Sequence, residues 1–198
     1  MLDLGGDLAV MMYLSKGILC KGGSKNWLYI RHLGQPTVLN GEEAVLWQES
    51  RFHFSYTMNP SEMAIVQKLV RKGVAVSENG WSELEKYHAL CRCSIRANPN
   101  FIIGLKPFNA LEKRILTWLR KTDANLSLPE LICLEDKGIK PERNLLYRKN
   151  STELFKLIYP CYESIAGDLE NKMRCSIARQ RTIDALLELL RRKRVVII

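Results

Sequence analysis

The chain lacks the residue patterns on which most catalytic and metal sites are built. Its three histidines, His32, His53 and His88, form no H-E-x-x-H motif and sit beside no nucleophile motif, which excludes that class of zinc hydrolase. No glycine-rich loop opens a helix, so the P-loop and dinucleotide-binding classes are left out, and Gly5-Gly6 and Gly22-Gly23 read only as turns. The six cysteines, at positions 20, 91, 93, 133, 161 and 175, include no C-x-x-C pair, and reduced thiols with no metal are expected. No apolar run is long enough to span a bilayer, and the start, MLDLGGDLAVMMYL, has acidic residues where a secretory leader needs positive ones. The expectation is a cytoplasmic protein that meets no membrane, holds no cofactor and is not an enzyme.

What is present is a core and a surplus of positive charge. The apolar fraction of 46% over 198 residues is enough for one large or two small domains. Lys and Arg number 30 against 21 acidic residues, a net +9. The surplus is uneven: residues 1–99 carry 11 basic and 9 acidic side chains (+2), and residues 100–198 carry 19 and 12 (+7). A basic second half can draw in a polyanion by counterion release.

Residues 59–80, NPSEMAIVQKLVRKGVAVSENG, organise the reading. Asn59 is a good N-cap, Pro60 suits the first helical position, and Glu62 is placed to return a bond to the amide of the cap. Ile65, Val66, Leu69 and Val70 recur at helical spacing, with Gln67, Lys68, Arg71 and Lys72 on the other side. Gly73 closes the helix, Val74-Ala75-Val76 runs extended, and Ser-Glu-Asn-Gly turns the chain. This helix, basic tip and strand resemble the recognition helix and wing of winged helix-turn-helix regulators of the MarR and PadR type. The resemblance implies a bacterial DNA-binding regulator of transcription.

In chain order, residues 3–14 read as a short amphipathic helix using Leu8, Met11, Met12 and Leu14, followed by a turn over residues 16–23. Residues 27–32 and 37–39 read as a hairpin reversed at Leu33-Gly34-Gln35-Pro36. A helix then starts on Asn40 as cap, with Glu43 reciprocating and Ala44, Leu46 and Trp47 turned inward. The segment ESRFHFSYTM supplies aromatic area from Phe52, Phe54 and Tyr56 with a β-leaning composition, where a standard winged helix has a further helix. Period-two alternation over residues 87–96 predicts the return strand of the wing, with Cys91 and Cys93 on one face as small core residues and His88 on the other.

Ala97-Asn98-Pro99-Asn100 and Lys106-Pro107 mark a boundary between domains 1–99 and 100–198. Three cap-and-return pairs follow, Asn109-x-x-Glu112, Ser127-x-x-Glu130 and Asn150-x-x-Glu153, each opening a helix. The first lines Leu111, Ile115, Trp118 and Leu119 on one face, the second ends at Gly138 and the third at Pro160, with a long connection over residues 139–149. Residues 164–194 predict one long helix, or two with a bend near residues 178–182, carrying Ile165, Leu169, Met173, Ile177, Ile183, Leu187 and Leu190 as a stripe. Arg191-Arg192-Lys193-Arg194 and then Val195 to Ile198 repeat the scheme of LVRKGVAV, a leucine-rich helix, a basic tip and a β-branched strand. The fold expected is therefore mainly α with small β-hairpins, an α+β chain of tandem winged-helix-like modules.

Two functions of different class follow. In the first, Gln67, Lys68, Arg71 and Lys72 reach bases or phosphates of DNA while Arg191, Arg192 and Lys193 hold the backbone. In the alternative, the winged-helix fold is a scaffold for a protein or peptide partner, engaged by strand addition at the 27–39 hairpin or by apolar helix faces. Leu39-Asn40 followed by Ala44 and Trp47 is faintly similar to the small winged-helix peptide carriers of modified-peptide biosynthesis. A homodimer through the long last helix is expected as well.

Overall fold

A computed structural model describes residues 10–20, 27–98, 107–121, 125–142, 151–160 and 166–198. The chain is α+β: the described residues form eight helices and three antiparallel sheets of three strands each. It divides into two compact units, residues 1–89 and 90–198. The division lies earlier than the 99/100 boundary read from the Pro-Asn punctuation, because the strand before that punctuation pairs only with strands of the second unit. The expectations for residues 3–9, Gly22-Gly23, Pro99-Asn100, Lys106, the Asn150 cap, the 143–149 part of the long connection and Ser164-Ile165 lie outside the described residues.

In the first unit, β1 (Met11–Ser15) is the middle strand, flanked by β5 (Ser55–Thr57) and β6 (Ala75–Asn79). The described end of the helix expected over residues 3–14 is thus a strand. Every residue of β1 is buried, so both faces are apolar and the alternation that marks a half-exposed strand is absent. The second sheet is a meander of β2 (Ile18–Leu19), β3 (Trp27–His32) and β4 (Gln35–Asn40). Leu33 and Gly34 both have positive φ, 48° and 84°, as a two-residue hairpin turn with the right twist requires. Its inner residues Leu28, Ile30 and Leu39 join Trp47, Val66 and Leu69 in one core.

Helix α1 (Glu42–Glu49) is capped by Gly41, not by Asn40, and no side chain bonds its first turn. Asn40 is instead the last residue of β4, one position ahead of the cap, and Glu43 reaches across to Lys72. Helix α2 (Pro60–Arg71) follows the sequence reading closely: the Asn59 side chain accepts from the Ser61 N–H at 3.0 Å, and Val66 and Leu69 are buried. Glu62 does not return to the cap amide directly. The Thr57 hydroxyl accepts from the Asn59 N–H at 3.0 Å and donates to Glu62 at 2.6 Å, relaying the bond.

After β6 the chain does not fold back as a wing. Gly80, at φ 111°, bonds to the Val10 carbonyl, and residues 83–91 form α3 (Glu83–Cys91), so that of the strand predicted over residues 87–96 only Ser94–Arg96 is extended, and it pairs with strands of the second unit. The reason is local: the Glu85 carboxylate accepts from the Ser82 N–H at 2.8 Å and pairs with its hydroxyl, a capping box missed in the sequence. Tyr87 and Leu90 are buried at helical spacing, and the C-x-C pair is split between the helix end and the turn after it.

In the second unit β7 (Ser94–Ala97) is the middle strand, between β8 (Leu126–Ser127) and β9 (Val195–Ile197). Helix α4 (Ala110–Lys121) opens on reciprocal bonds between Asn109 and Glu112, at 2.8 and 3.1 Å, and buries Ile115, Trp118 and Leu119. Helix α5 (Leu128–Asp136) opens on the Ser127–Glu130 capping box and ends at Gly138, φ 64°. It is buried almost throughout, including Glu130, held in the capping box, and Glu135, paired with Arg114 at 2.6 Å. Then come α6 (Ser151–Ile158), α7 (Ala166–Arg174) and α8 (Arg179–Arg191). The expected long helix is two, broken just before the anticipated bend. There Ser176 accepts the Ala178 N–H at 3.0 Å and donates to Asp136 at 2.5 Å, and Ile177, expected in the apolar stripe, is almost fully exposed.

The two units share a scheme. A middle strand pairs with a short strand that leads into a helix bearing proline in its first turn, and with a strand that leaves an amphipathic, basic-tipped helix. In the first unit one helix, α2, has both features; in the second α5 and α8 divide them.

Candidate interaction surfaces

Helix α2 carries four of the side chains singled out for DNA. Gln67, Lys68, Arg71 and Lys72 all lie on its exposed side. The buried Glu43 carboxylate reaches across from α1 to two of them: Lys72 Nζ lies 2.6 Å from Oε2 and Lys68 Nζ 3.6 Å from Oε1. Their side chains are 34% and 62% exposed, so Lys72 is held and Lys68 only tethered. Gln67 and Arg71 are exposed, with no ion-pair partner among the described residues.

The tip of α8 holds the other three. Arg191 and Arg192 both engage Glu188, with Arg192 Nε at 2.6 Å, and Arg192 Nη1 also lies 3.5 Å from Glu112. Burial works against the Glu188 charge, but the two guanidiniums outweigh it and hold the carboxyl below its ordinary range. Lys193 is exposed and takes φ 58°; its carbonyl accepts from Asn98 at 2.9 Å. The sequence reading missed Phe108, whose ring centroid lies 5.7 Å from the Arg192 guanidinium and 5.5 Å from that of Arg194. It also missed Arg120. Burial first, then Arg120 and Arg192, push the Arg194 guanidinium below its ordinary range.

The third surface is the hairpin. The Cys20 N–H donates to the Tyr29 carbonyl at 2.8 Å, so the backbone polar groups of Tyr29 face β2. Within a strand these groups alternate sides, so Leu28 and Ile30 face β4. Tyr29 lies opposite Val38, which makes that pair the one without ladder bonds and turns the Val38 N–H and C=O away from the sheet. Pro36 and Asn40 share that outward set, and Pro36 sits where a missing N–H costs the ladder nothing. Beside this edge the outer sheet face is aromatic and aliphatic: Trp27 is 53% exposed, Tyr29 42% and Val38 42%. Two residues past Asn40 begins a groove of about 230 Å³ between α1 and α2, with Val45, Leu46 and Ile65 in its wall and Glu42 and Glu62 among its lining.

No described helix is long and apolar enough to cross a membrane. Comparison of the chain with protein-family models, with curated proteins and with solved structures gave no match.

Proposed function

We propose that the chain is a non-catalytic adaptor whose first unit receives an extended segment of a protein partner as a strand added to β4. The observation that carries this reading is the outward Val38 backbone on an edge strand, next to exposed Trp27 and Tyr29. Backbone bonds to Val38 and Asn40 supply affinity, and the aromatic face selects apolar side chains at alternate positions of the partner. The regulator role expected from the sequence needs cations turned to phosphate. On α2 that role is left chiefly to Arg71, since Glu43 engages both lysines.

Phage-displayed peptides selected on the full chain test the adaptor reading. The expected binders are extended, bind at least ~10-fold more weakly to Val38→Pro and to Trp27→Ala, and protect the Val38 amide from hydrogen exchange. Val38→Pro removes an N–H that the ladder does not use, so the sheet itself survives. Binders indifferent to both changes, or none at all, would end the proposal.

A further inference from the structure

The corner of the second unit where α8 ends gathers five cations. Arg120 comes from the last turn of α4, and Arg191, Arg192, Lys193 and Arg194 from the end of α8 and the turn into β9. Glu188 and Glu112 reach into the set at Arg191 and Arg192. Arg120 and Arg192 lie near enough to Arg194 to act on its guanidinium as like charges, after burial, so the cations share one corner. The turn is sharp because Lys193 adopts a left-handed conformation, with Lys193 N–H on the Leu190 carbonyl and Arg194 N–H on the Leu189 carbonyl, both at 2.8 Å. Successive cations therefore leave the helix axis in different directions. Phe108 anchors two of the guanidiniums.

We infer that this corner is a contact surface for the phosphate backbone of duplex nucleic acid. Four of the five cations are arginines, whose planar forks match phosphate oxygens two at a time; the carbonyl end of α8 is a negative pole that opposes a phosphate, so the side chains alone carry the contact. Phe108 faces the chain's own guanidiniums, so it is not a platform on which an unpaired base stacks. That favours a backbone contact over single-strand recognition. The inference is independent of the adaptor reading, since it uses no residue of the first unit.

Anisotropy titrations of the full chain test it, using a labelled duplex of about 20 base pairs and its single strand over roughly 50–200 mM salt. The duplex is expected to bind, more tightly than the single strand, with affinity falling steeply as salt rises. The triple variant Arg120→Ala/Lys193→Gly/Arg194→Gln should weaken binding ~10-fold or more at the lowest salt and reduce the salt slope by about one for each phosphate it no longer neutralises. Val38→Pro, which disables only the proposed peptide edge of the first unit, should leave both quantities unchanged. Glycine at 193 keeps the left-handed turn, and circular dichroism checks that the triple variant folds. If it does not, the exposed Arg120→Ala alone should lower the slope by about one. No binding at low salt, a preference for the single strand, or an unchanged slope in the folded variants overturns the inference.

Discussion

Gly73 and Lys193 occupy the same place in two helix endings. Each takes positive φ, 75° and 58°, and each donates to a carbonyl three residues back while the next residue donates to one five back. Val74 N–H reaches Leu69 at 3.1 Å, and Arg194 N–H reaches Leu189 at 2.8 Å. Only the first site uses the residue that adopts this conformation without steric cost.

The asymmetry sets a pair of opposite stability effects. Lys193→Gly should stabilise the chain by about 0.5–1 kcal/mol, and Gly73→Ala should destabilise it by about 1 kcal/mol or more. Urea melts of both variants measure this; equal effects would mean that the two turns are not equivalent.

Glu43 ties α1 to α2 through Lys72 far more than through Lys68. A double-mutant cycle of Glu43→Ala with Lys72→Ala should give a coupling of about 1 kcal/mol, and with Lys68→Ala only about 0.3 kcal/mol, since the latter ammonium is well exposed and more distant. Comparable couplings would show that distance and exposure do not rank the two pairs.

Trp47 Nε1 donates to the carbonyls of both Lys16 and Val74, 3.1 Å from each, from a fully buried ring. Trp47→Phe keeps most of the apolar volume but strips these acceptors of their donor, and should cost roughly 1–3 kcal/mol. A Trp47→Phe melt within error of the parent would contradict that role.

His32 gives the chain an acid-sensitive element. Burial first, and then Lys16, lower its pKa from the ordinary 6.5, and its Nε2 is buried without a hydrogen-bond partner. The unfolded state therefore binds the proton more readily. The stabilisation is fully present above pH 6.5 and is lost as pH falls from there through the lowered folded value. Melting temperatures of the parent and His32→Phe should run parallel above that pH and diverge below it, the parent falling faster; parallel curves throughout would exclude His32 as the cause.

Much of the fold was legible because its signals are local. The Asn59, Asn109 and Ser127 caps and the Gly73 and Gly138 endings act within four or five residues; α2, α4 and α5 begin, and α2 and α5 end, where those residues place them. The hairpin was legible for the same reason, through β-formers around Leu33-Gly34. Of the candidate sites, the 27–39 hairpin was visible as an edge and the tip of α8 as a run of cations. The partners of those cations were not visible. Nothing near Glu43 in the chain announces that it meets Lys72, and nothing near Arg194 announces Phe108 or Arg120.

Two local readings failed where short-range patterns compete. Over residues 87–96 alternation outweighed the Ser82–Glu85 box, although the box secures the helix start and Tyr87 and Leu90 follow helical spacing. At Met11–Ser15 an apolar run fits a helix face and a strand buried on both sides equally well. The sequence by itself determined where α2, α4 and α5 start and where α2 and α5 stop, and that the second half is the more basic. Tertiary structure alone decided that β1 and β7 become middle strands, which acids meet which cations, and which backbone edge stays open. Those outcomes depend on pairings between residues tens of positions apart, whose energies appear only once the chain has closed the loops between them.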